Sequence, residues 1–313
     1  MKGMNTMKDF ISLNDCSQKE IQKLLELAIK LKKENKNGIS HHILKGKTLG
    51  MIFSKSSTRT RVSFEVGMVQ LGGYPLFLSS NDIQLGRGET IYDTAKVLER
   101  FLDGIMIRTF SHQDVLDLAK FADIPVINAL TDLLHPCQVL ADLQTIYEKK
   151  NKLSGLKLAY IGDGNNMAHS LMYGCGKMGI DCAIAAPADY MPDNSVIENA
   201  KADFKESGAQ HIITDDPKEA IKDADVVYTD TWVSMGMEAE KEKRLAVFMP
   251  YQVNKELMKY ADGNAIFLHC LPAYRGFEVT EDVIDSAQSV IFDEAENRLH
   301  AQKAVMVELM ADR

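Results

Sequence analysis

Long apolar runs, paired cysteines and a leading hydrophobic segment are all missing from this sequence of 313 residues. Its apolar runs are no longer than residues 245–249, far short of the roughly 18 consecutive apolar residues that suggest a membrane-spanning helix. An integral membrane role is thereby excluded. The first ten residues carry Lys2, Lys8 and Asp9 without an apolar stretch, so no secretory signal is expected. The five cysteines are odd in number, widely spaced and free of any C-x-x-C pair, which fits neither a disulfide framework nor a zinc site. The expected compartment is a reducing cytoplasm. Positive charge is also scarce: 36 Lys+Arg stand against 44 Asp+Glu, a net charge of −8. Broad nucleic-acid binding needs a basic footprint and is not expected. An anion site is still open to such a chain, provided its few arginines are concentrated where the anion sits.

What is present is average for a globular protein, with 45% hydrophobic and 26% charged residues. The length corresponds to about two domains, at roughly 150 residues each. Residues 20–33, with Ile21, Leu24, Leu25, Leu27, Ala28, Ile29 and Leu31, show the helical period and a charged opposite face, with Asn14 and Ser17 as caps before it. Residues 48–53 then read as a strand, followed by a polar loop at 54–61 and a helix through Val62, Val66 and Leu71. Strand candidates continue at 75–78, 104–107 and 125–128, with helices at 90–102, 114–121 and 139–149. A basic, Gly-containing segment at 150–155 marks a boundary. The series resumes with strands at 157–161, 182–186, 226–229 and 265–268, helices at 167–178 and 195–206, and a long closing helix at 293–310. Short apolar strands alternating with helices imply parallel sheets and α/β architecture. Ligands of such sheets bind beyond the carboxyl ends of strands, so the residues just after each strand carry the functional reading.

Five segments occupy such positions. Ser57, Thr58, Arg59, Thr60 and Arg61 stand at a strand-to-helix junction, where free backbone N–H groups, hydroxyls and a guanidinium together suit phosphate oxygens. An ordinary helix cap would use the same residues. His135, Pro136, Cys137 and Gln138 open another helix, with Pro136 at a favoured first-turn position. There a histidine can donate to a carbonyl, and an amide can both donate to and accept from an NH2-bearing group. Cys137 reads as a packing residue. Gly162, Asp163, Gly164, Asn165 and Asn166 resemble a nucleotide-binding turn, but Met167 stands where the third glycine of G-x-G-x-x-G belongs. The asparagines suit an amino-acid carboxylate or ammonium, or simply a helix cap. Asp230, Thr231, Trp232, Val233, Ser234, Met235 and Gly236 follow a strand; Asp230 suits an ammonium and Ser234 a carboxylate, while Trp232 reads as core. His269, Cys270, Leu271 and Pro272 follow the last strand, without the partner cysteines a zinc site would want.

In this order, these motifs resemble the aspartate/ornithine carbamoyltransferase family, and within it the ornithine-specific members, over nearly the whole chain. The resemblance implies two doubly wound parallel-sheet α/β domains with a cleft between them: residues 1–149 for carbamoyl phosphate, 150–292 for ornithine, and a C-terminal helix, 293–313, packing back on the first domain. It implies transfer of a carbamoyl group from carbamoyl phosphate to the δ-amine of L-ornithine, in arginine biosynthesis rather than catabolism, with no metal and no cofactor. By this resemblance Ser57, Thr58, Arg59, Thr60, Gln84 and Arg108 hold the phosphate. His135, Gln138, Cys270, Leu271 and Arg298 hold the carbamoyl group. Asn166, Asp230, Ser234 and Met235 hold ornithine, and Arg59, Arg108, His135 and Cys270 act in catalysis. The loop at 79–89 is expected to reach a neighbouring subunit, placing Gln84 in trans in a homotrimer. Cys137 departs from the family pattern with little expected effect. The rival readings are an aspartate or putrescine carbamoyltransferase, an oxidoreductase built on residues 162–166, and a non-catalytic binding protein.

Overall fold

The computed structural model describes residues 7–84 and 88–312. The chain forms two compact units, Met1–Ala141 together with Asn297–Arg313, and Asp142–Glu296. In the first, β1 (Thr48–Phe53), β2 (Tyr74–Ser79), β3 (Gly104–Arg108) and β4 (Val126–Leu130) make a parallel sheet in the order β2-β1-β3-β4. The connecting helices are α1 (Gln18–Lys36), α2 (Thr58–Gln70), α3 (Ile91–Leu98), α4 (His112–Phe121) and α5 (Pro136–Lys150), the last of which runs on into the second unit. Leu49, Met51, Ile52, Ile105, Met106 and Ile107 are fully buried, as expected for central parallel strands covered on both faces. Leu102 packs over Gly50, where a Cβ would meet its Cδ1 at 2.4 Å and the leucine would have to shift.

The second unit has a five-stranded parallel sheet, β5 (Lys157–Ile161), β6 (Asp181–Ala185), β7 (His211–Thr214), β8 (Val226–Thr229) and β9 (Ile266–Leu268), in the order β7-β6-β5-β8-β9. Its further helices are α6 (Asn166–Met178), α7 (Asn194–Ser207), α8 (Pro217–Ile221), α9 (Lys241–Phe248), α10 (Lys255–Met258) and α11 (Glu281–Ile284). The closing helix α12 (Ile291–Met310) starts in this unit and ends in the first. There Lys303 and Met306 sit within 3.2 Å of where a Cβ on Gly67 of α2 would lie, and Met310 packs on Gly104. Among the described residues no helix is long and apolar enough to cross a membrane.

Several elements differ from their sequence expectation. Helix α2 begins at Thr58, ahead of the apolar periodicity, because its first turn is polar and is set by the Ser57 cap; α5 begins at Pro136, the first-turn proline, ahead of the stretch from 139. The α3 helix stops at Leu98, with Glu99–Leu102 forming tight turns instead of a further turn of helix. Strand β7 and helices α8 to α11 were not anticipated: β7 is an edge strand with an exposed Ile212, and the helices are short. By compactness the chain divides inside α5 and α12.

In both sheets the order reverses beside the first strand of the unit: between β1 and β3, and between β5 and β8. Crevices at such points are where open α/β sheets bind ligands. The loops leaving β1, β3, β5 and β8 carry Ser57, Arg108, Asn165 and Asp230, respectively or at their ends.

Candidate active site

In the first unit, Ser57 caps α2: its Oγ accepts from Thr60 N at 3.2 Å. The first turn of α2 contains no acid, so no carboxylate of its own occupies a helix end whose N–H groups and positive dipole suit an anion. The loop from β1 is tied to the end of β3 by Ser54 N donating to Arg108 O at 2.8 Å. The β3–β4 ladder shifts register between Ile107 and Arg108, the kind of irregularity that re-aims a side chain.

His135 opens α5, its carbonyl accepting from Gln138 N at 3.2 Å. The ring is buried, and its pKa is held well below the ordinary histidine value, first by burial and then by Arg298, Arg108 and Arg59. A neutral imidazole offers one N–H and one acceptor. Arg298, from α12, donates through Nη1 to Gln138 Oε1 and through Nη2 to Thr60 Oγ1 at 3.3 Å. Residues distant in the chain thus converge on one electropositive cradle: Ser57, Thr58, Arg59, Thr60, Arg108, His135, Gln138 and Arg298. Arg61 of the same motif is not among them; it pairs with Glu65 at 2.9 Å and lies over the Phe77 ring at 3.7 Å. Burial pushes the Cys137 thiol up to about 12, and its Sγ donates to Asn128 O at 3.4 Å, as a packing residue does. Gln84 is exposed in the turn after β2; residues 85–87 of the loop that carries it lie outside the described residues.

In the second unit Asp230 is the hub. Its Oδ1 accepts from Thr231 N at 2.7 Å and from the Cys270 thiol at 3.1 Å, while its Oδ2 accepts from Asn165 Nδ2 at 3.0 Å. Asn165 also caps α6, accepting from Met167 N at 2.9 Å, and takes a bond from the Tyr160 hydroxyl at 3.2 Å. Asn166 is the first residue of α6, a helix that again has no acid in its first turn. Burial, then Asp230, raises the Cys270 thiol well above its ordinary value, so it is a donor and not a thiolate. Leu271 follows with φ of 58° and a cis bond to Pro272.

Ser234 and Met235 lie in the exposed loop between β8 and α9. That loop is anchored by buried Arg244 of α9, which donates to the Trp232 carbonyl and to Asp163. Burial lifts Asp163 to about 6, against the opposing pull of Arg244. Trp232 is core, stacked on Phe248 at 5.9 Å. Sequence reasoning missed Tyr160, Asn165 as the Asp230 partner, and Arg244. Only Asn165 left a local signal, its place just before a helix.

Asp230, His269 and Cys270 each place one possible metal donor within 4.8 Å of the others. Both ring nitrogens of His269 are engaged, however: Nδ1 accepts from Leu271 N at 2.9 Å and Nε2 faces Glu278 at 3.2 Å. All three side chains are thus engaged in hydrogen bonds.

Fold and site together define a two-unit α/β protein with an oxyanion cradle in one unit and a carboxyl that can receive a cation in the other. Residues 8–148 match the family described as "Aspartate/ornithine carbamoyltransferase, carbamoyl-P binding domain", and residues 154–309 match its "Asp/Orn binding domain". The chain belongs to the aspartate/ornithine carbamoyltransferase family. Among its most similar relatives is an ornithine carbamoyltransferase of Caldicellulosiruptor saccharolyticus, 62% identical over 96% of this chain and 98% of the relative. A relative from Pyrococcus furiosus named "Ornithine carbamoyltransferase, anabolic" is 55% identical over 97% of this chain and 96% of its own length. The solved ornithine carbamoyltransferase structure from that organism superposes with a TM-score of 0.94, covering 97% of each chain.

Proposed function

We propose that the protein transfers the carbamoyl group of carbamoyl phosphate to the δ-amine of L-ornithine, giving L-citrulline and phosphate. The observation that carries the choice of acceptor is Asp230, a buried carboxyl bonded by three neutral donors, Thr231 N, Asn165 and Cys270. A dicarboxylate acceptor would call for basic residues there. Putrescine would leave the α6 N-terminus, with Asn166 and the Ser234 to Gly236 loop, without a carboxylate to hold.

Ser57 to Thr60, Arg59, Arg108 and Gln84 hold the phosphate, and Arg298 orients Gln138. The Gln138 carbonyl keeps a second lone pair for the carbamoyl N–H. As the neutral δ-amine attacks the carbonyl carbon, negative charge grows on its oxygen, where Arg59, Thr60, Arg108 and the His135 N–H stabilise it. The C–O bond to phosphate then breaks and the phosphate leaves with the electron pair. The proton lost from the amine goes to an acceptor at the Asp230 end. Cys270 serves there as a hydrogen-bond donor that fixes Asp230, with Leu271 beside it, and Met235 covers the amino-acid part. Holding the reactants in attack geometry can supply about 7–11 kcal/mol of the barrier.

The biosynthetic direction is favoured by the relative named anabolic, and a cytoplasmic location by five unpaired cysteines. A homotrimer is supported by the exposed apolar residues Val62, Val66 and Val69 along α2, with Tyr74 and Leu76 on edge strand β2. The test incubates the protein with carbamoyl phosphate and ornithine, aspartate or putrescine in turn. Phosphate release and a carbamoylated product with ornithine alone are expected; no product with any acceptor rejects the reading.

A further inference from the structure

Two residues that define the acceptor end, Asp230 and Cys270, lie beyond the point where their strands stop pairing. The last pair of the β8–β9 ladder is Tyr228 with Leu268, so the ladder itself does not fix the residues after it. On the outer side of β9, Phe267 N donates to Gln288 O at 2.8 Å, and Val290 N donates to Phe267 O at 3.0 Å. The next N–H facing that side belongs to His269. It donates to a side chain, Glu294 Oε2 of α12, at 2.9 Å. The other oxygen, Oε1, accepts from the Tyr228 hydroxyl at 3.0 Å. Glu294 is fully buried and also hydrogen-bonds the carboxyl of Asp142 on α5.

We propose that Glu294 is a positioning residue of the acceptor site, its carboxyl replacing the missing ladder partner and clamping the ends of β8 and β9 so that Cys270 meets Asp230. One clamp point is the residue before Cys270; the other is two residues before Asp230. The Tyr228 ring also stacks on Tyr160 at 6.0 Å, and Tyr160 holds Asn165, the second partner of Asp230. A carboxyl is needed because two donors must be accepted while a third bond runs to Asp142. Glutamine has one acceptor oxygen and would leave one donor unserved. Burial and the Asp142 carboxyl raise Glu294 well above the usual carboxylate range, consistent with one proton held between the two acids. An asparagine at position 142 would donate to Glu294 in place of that proton.

The inference rests on the proposed role of Asp230 and Cys270 toward ornithine, so its test reads both the reaction and the thiol itself. Cys270 is the half-buried cysteine among four fully buried ones, and its alkylation by a maleimide under limiting reagent reports its attachment to Asp230. Glu294→Gln is expected to raise that rate and the KM for ornithine by about 10-fold or more, the usual effect of an unserved buried donor, with carbamoyl phosphate affinity unchanged. Asp142→Asn is expected to change either quantity by no more than about threefold, since its hydrogen bond survives. Tyr228→Phe removes one of the two clamped donors without a large packing change, and is expected to give an intermediate rise; it decides the matter if Glu294→Gln does not fold. Wild-type alkylation and ornithine KM in folded Glu294→Gln, or in Tyr228→Phe when that variant decides, overturn the proposal. So does an equal loss of both substrate affinities. Faster alkylation in a protein that uses no ornithine would uphold the clamp and sink the acceptor assignment.

Discussion

In the first unit Arg59 in the first turn of α2, Arg108 and Arg298 act on His135, which opens α5 and is held neutral; in the second, Asp230 is held by an amide, a thiol and a backbone N–H. The first is a cluster of cations suited to an anion, and the second is a carboxyl suited to a cation. Helices α1, α3 and α4, which carry none of the candidate residues, have an acid in their first turn, Glu20, Asp93 and Asp114. Helices α2, α5 and α6, whose first turns carry the candidate residues, have none. An acid there stabilises the helix through its dipole and caps free N–H groups, and would occupy the ground an anionic ligand needs. A net charge of −8 therefore says little about the sites, where the local charge is set residue by residue.

The harshest way to break this contrast is Arg59→Ala. It removes a donor for both the phosphate and the growing oxyanion, and a loss of roughly 10²–10³ in kcat is expected, as for removing one preorganised donor. Phosphate affinity by calorimetry should fall with it, while Cys270 alkylation should not move. A loss of less than tenfold would mean that the cradle works through helix N–H groups with little help from guanidinium. Cys270→Ser probes the other side. The Asp230 hydrogen bond is kept in kind but shortened in reach, so ornithine binding and turnover are expected to weaken by about 5- to 30-fold, leaving carbamoyl phosphate affinity nearly intact. Equal loss of both affinities would sink the division of labour between the units.

How far each site could be read in the sequence follows the same division. The candidate cradle stands out in the sequence because Ser57 to Thr60 and His135 to Gln138 are contiguous runs at helix starts, where backbone N–H groups are free to bind. Arg298 joined them only through family resemblance, since nothing local marks an arginine in the middle of a helix as a partner of Thr60 and Gln138. At the acceptor end Asp230 and Cys270 were legible as strand-end residues, but their supports were not. Arg244 and Glu294 act across tens of residues of chain, and they, like Tyr160, look locally like ordinary strand or helix positions. The strands were read closely where both faces are buried, as in β1, β5 and β8, and missed in β7, whose edge position weakens the apolar run. The start of α2 lies ahead of its apolar periodicity because the first turn is polar.

The mildest test concerns charge in the cradle itself. His135 is neutral in the folded protein because burial and three arginines disfavour its cation, whereas in the unfolded chain a histidine titrates near 6.5. As pH falls through that value the unfolded state gains a proton that the native state refuses, so stability is lost on acidification, by up to about 1.4 kcal/mol per pH unit for one such group. His112, also lowered by burial, acts in the same direction. Asp163 acts oppositely: its native value of about 6 lies above the unfolded one, so below pH 6 the native state gains its proton first and is relatively stabilised. The His135 contribution is therefore cleanest between about pH 7 and pH 6. Urea unfolding across that window should show wild-type stability falling as pH drops and a shallower slope in His135→Gln. An unchanged slope would mean that the imidazole is protonated in the cradle, and that the contrast between a cationic cluster with a neutral histidine and a carboxyl site has been drawn wrongly at its centre.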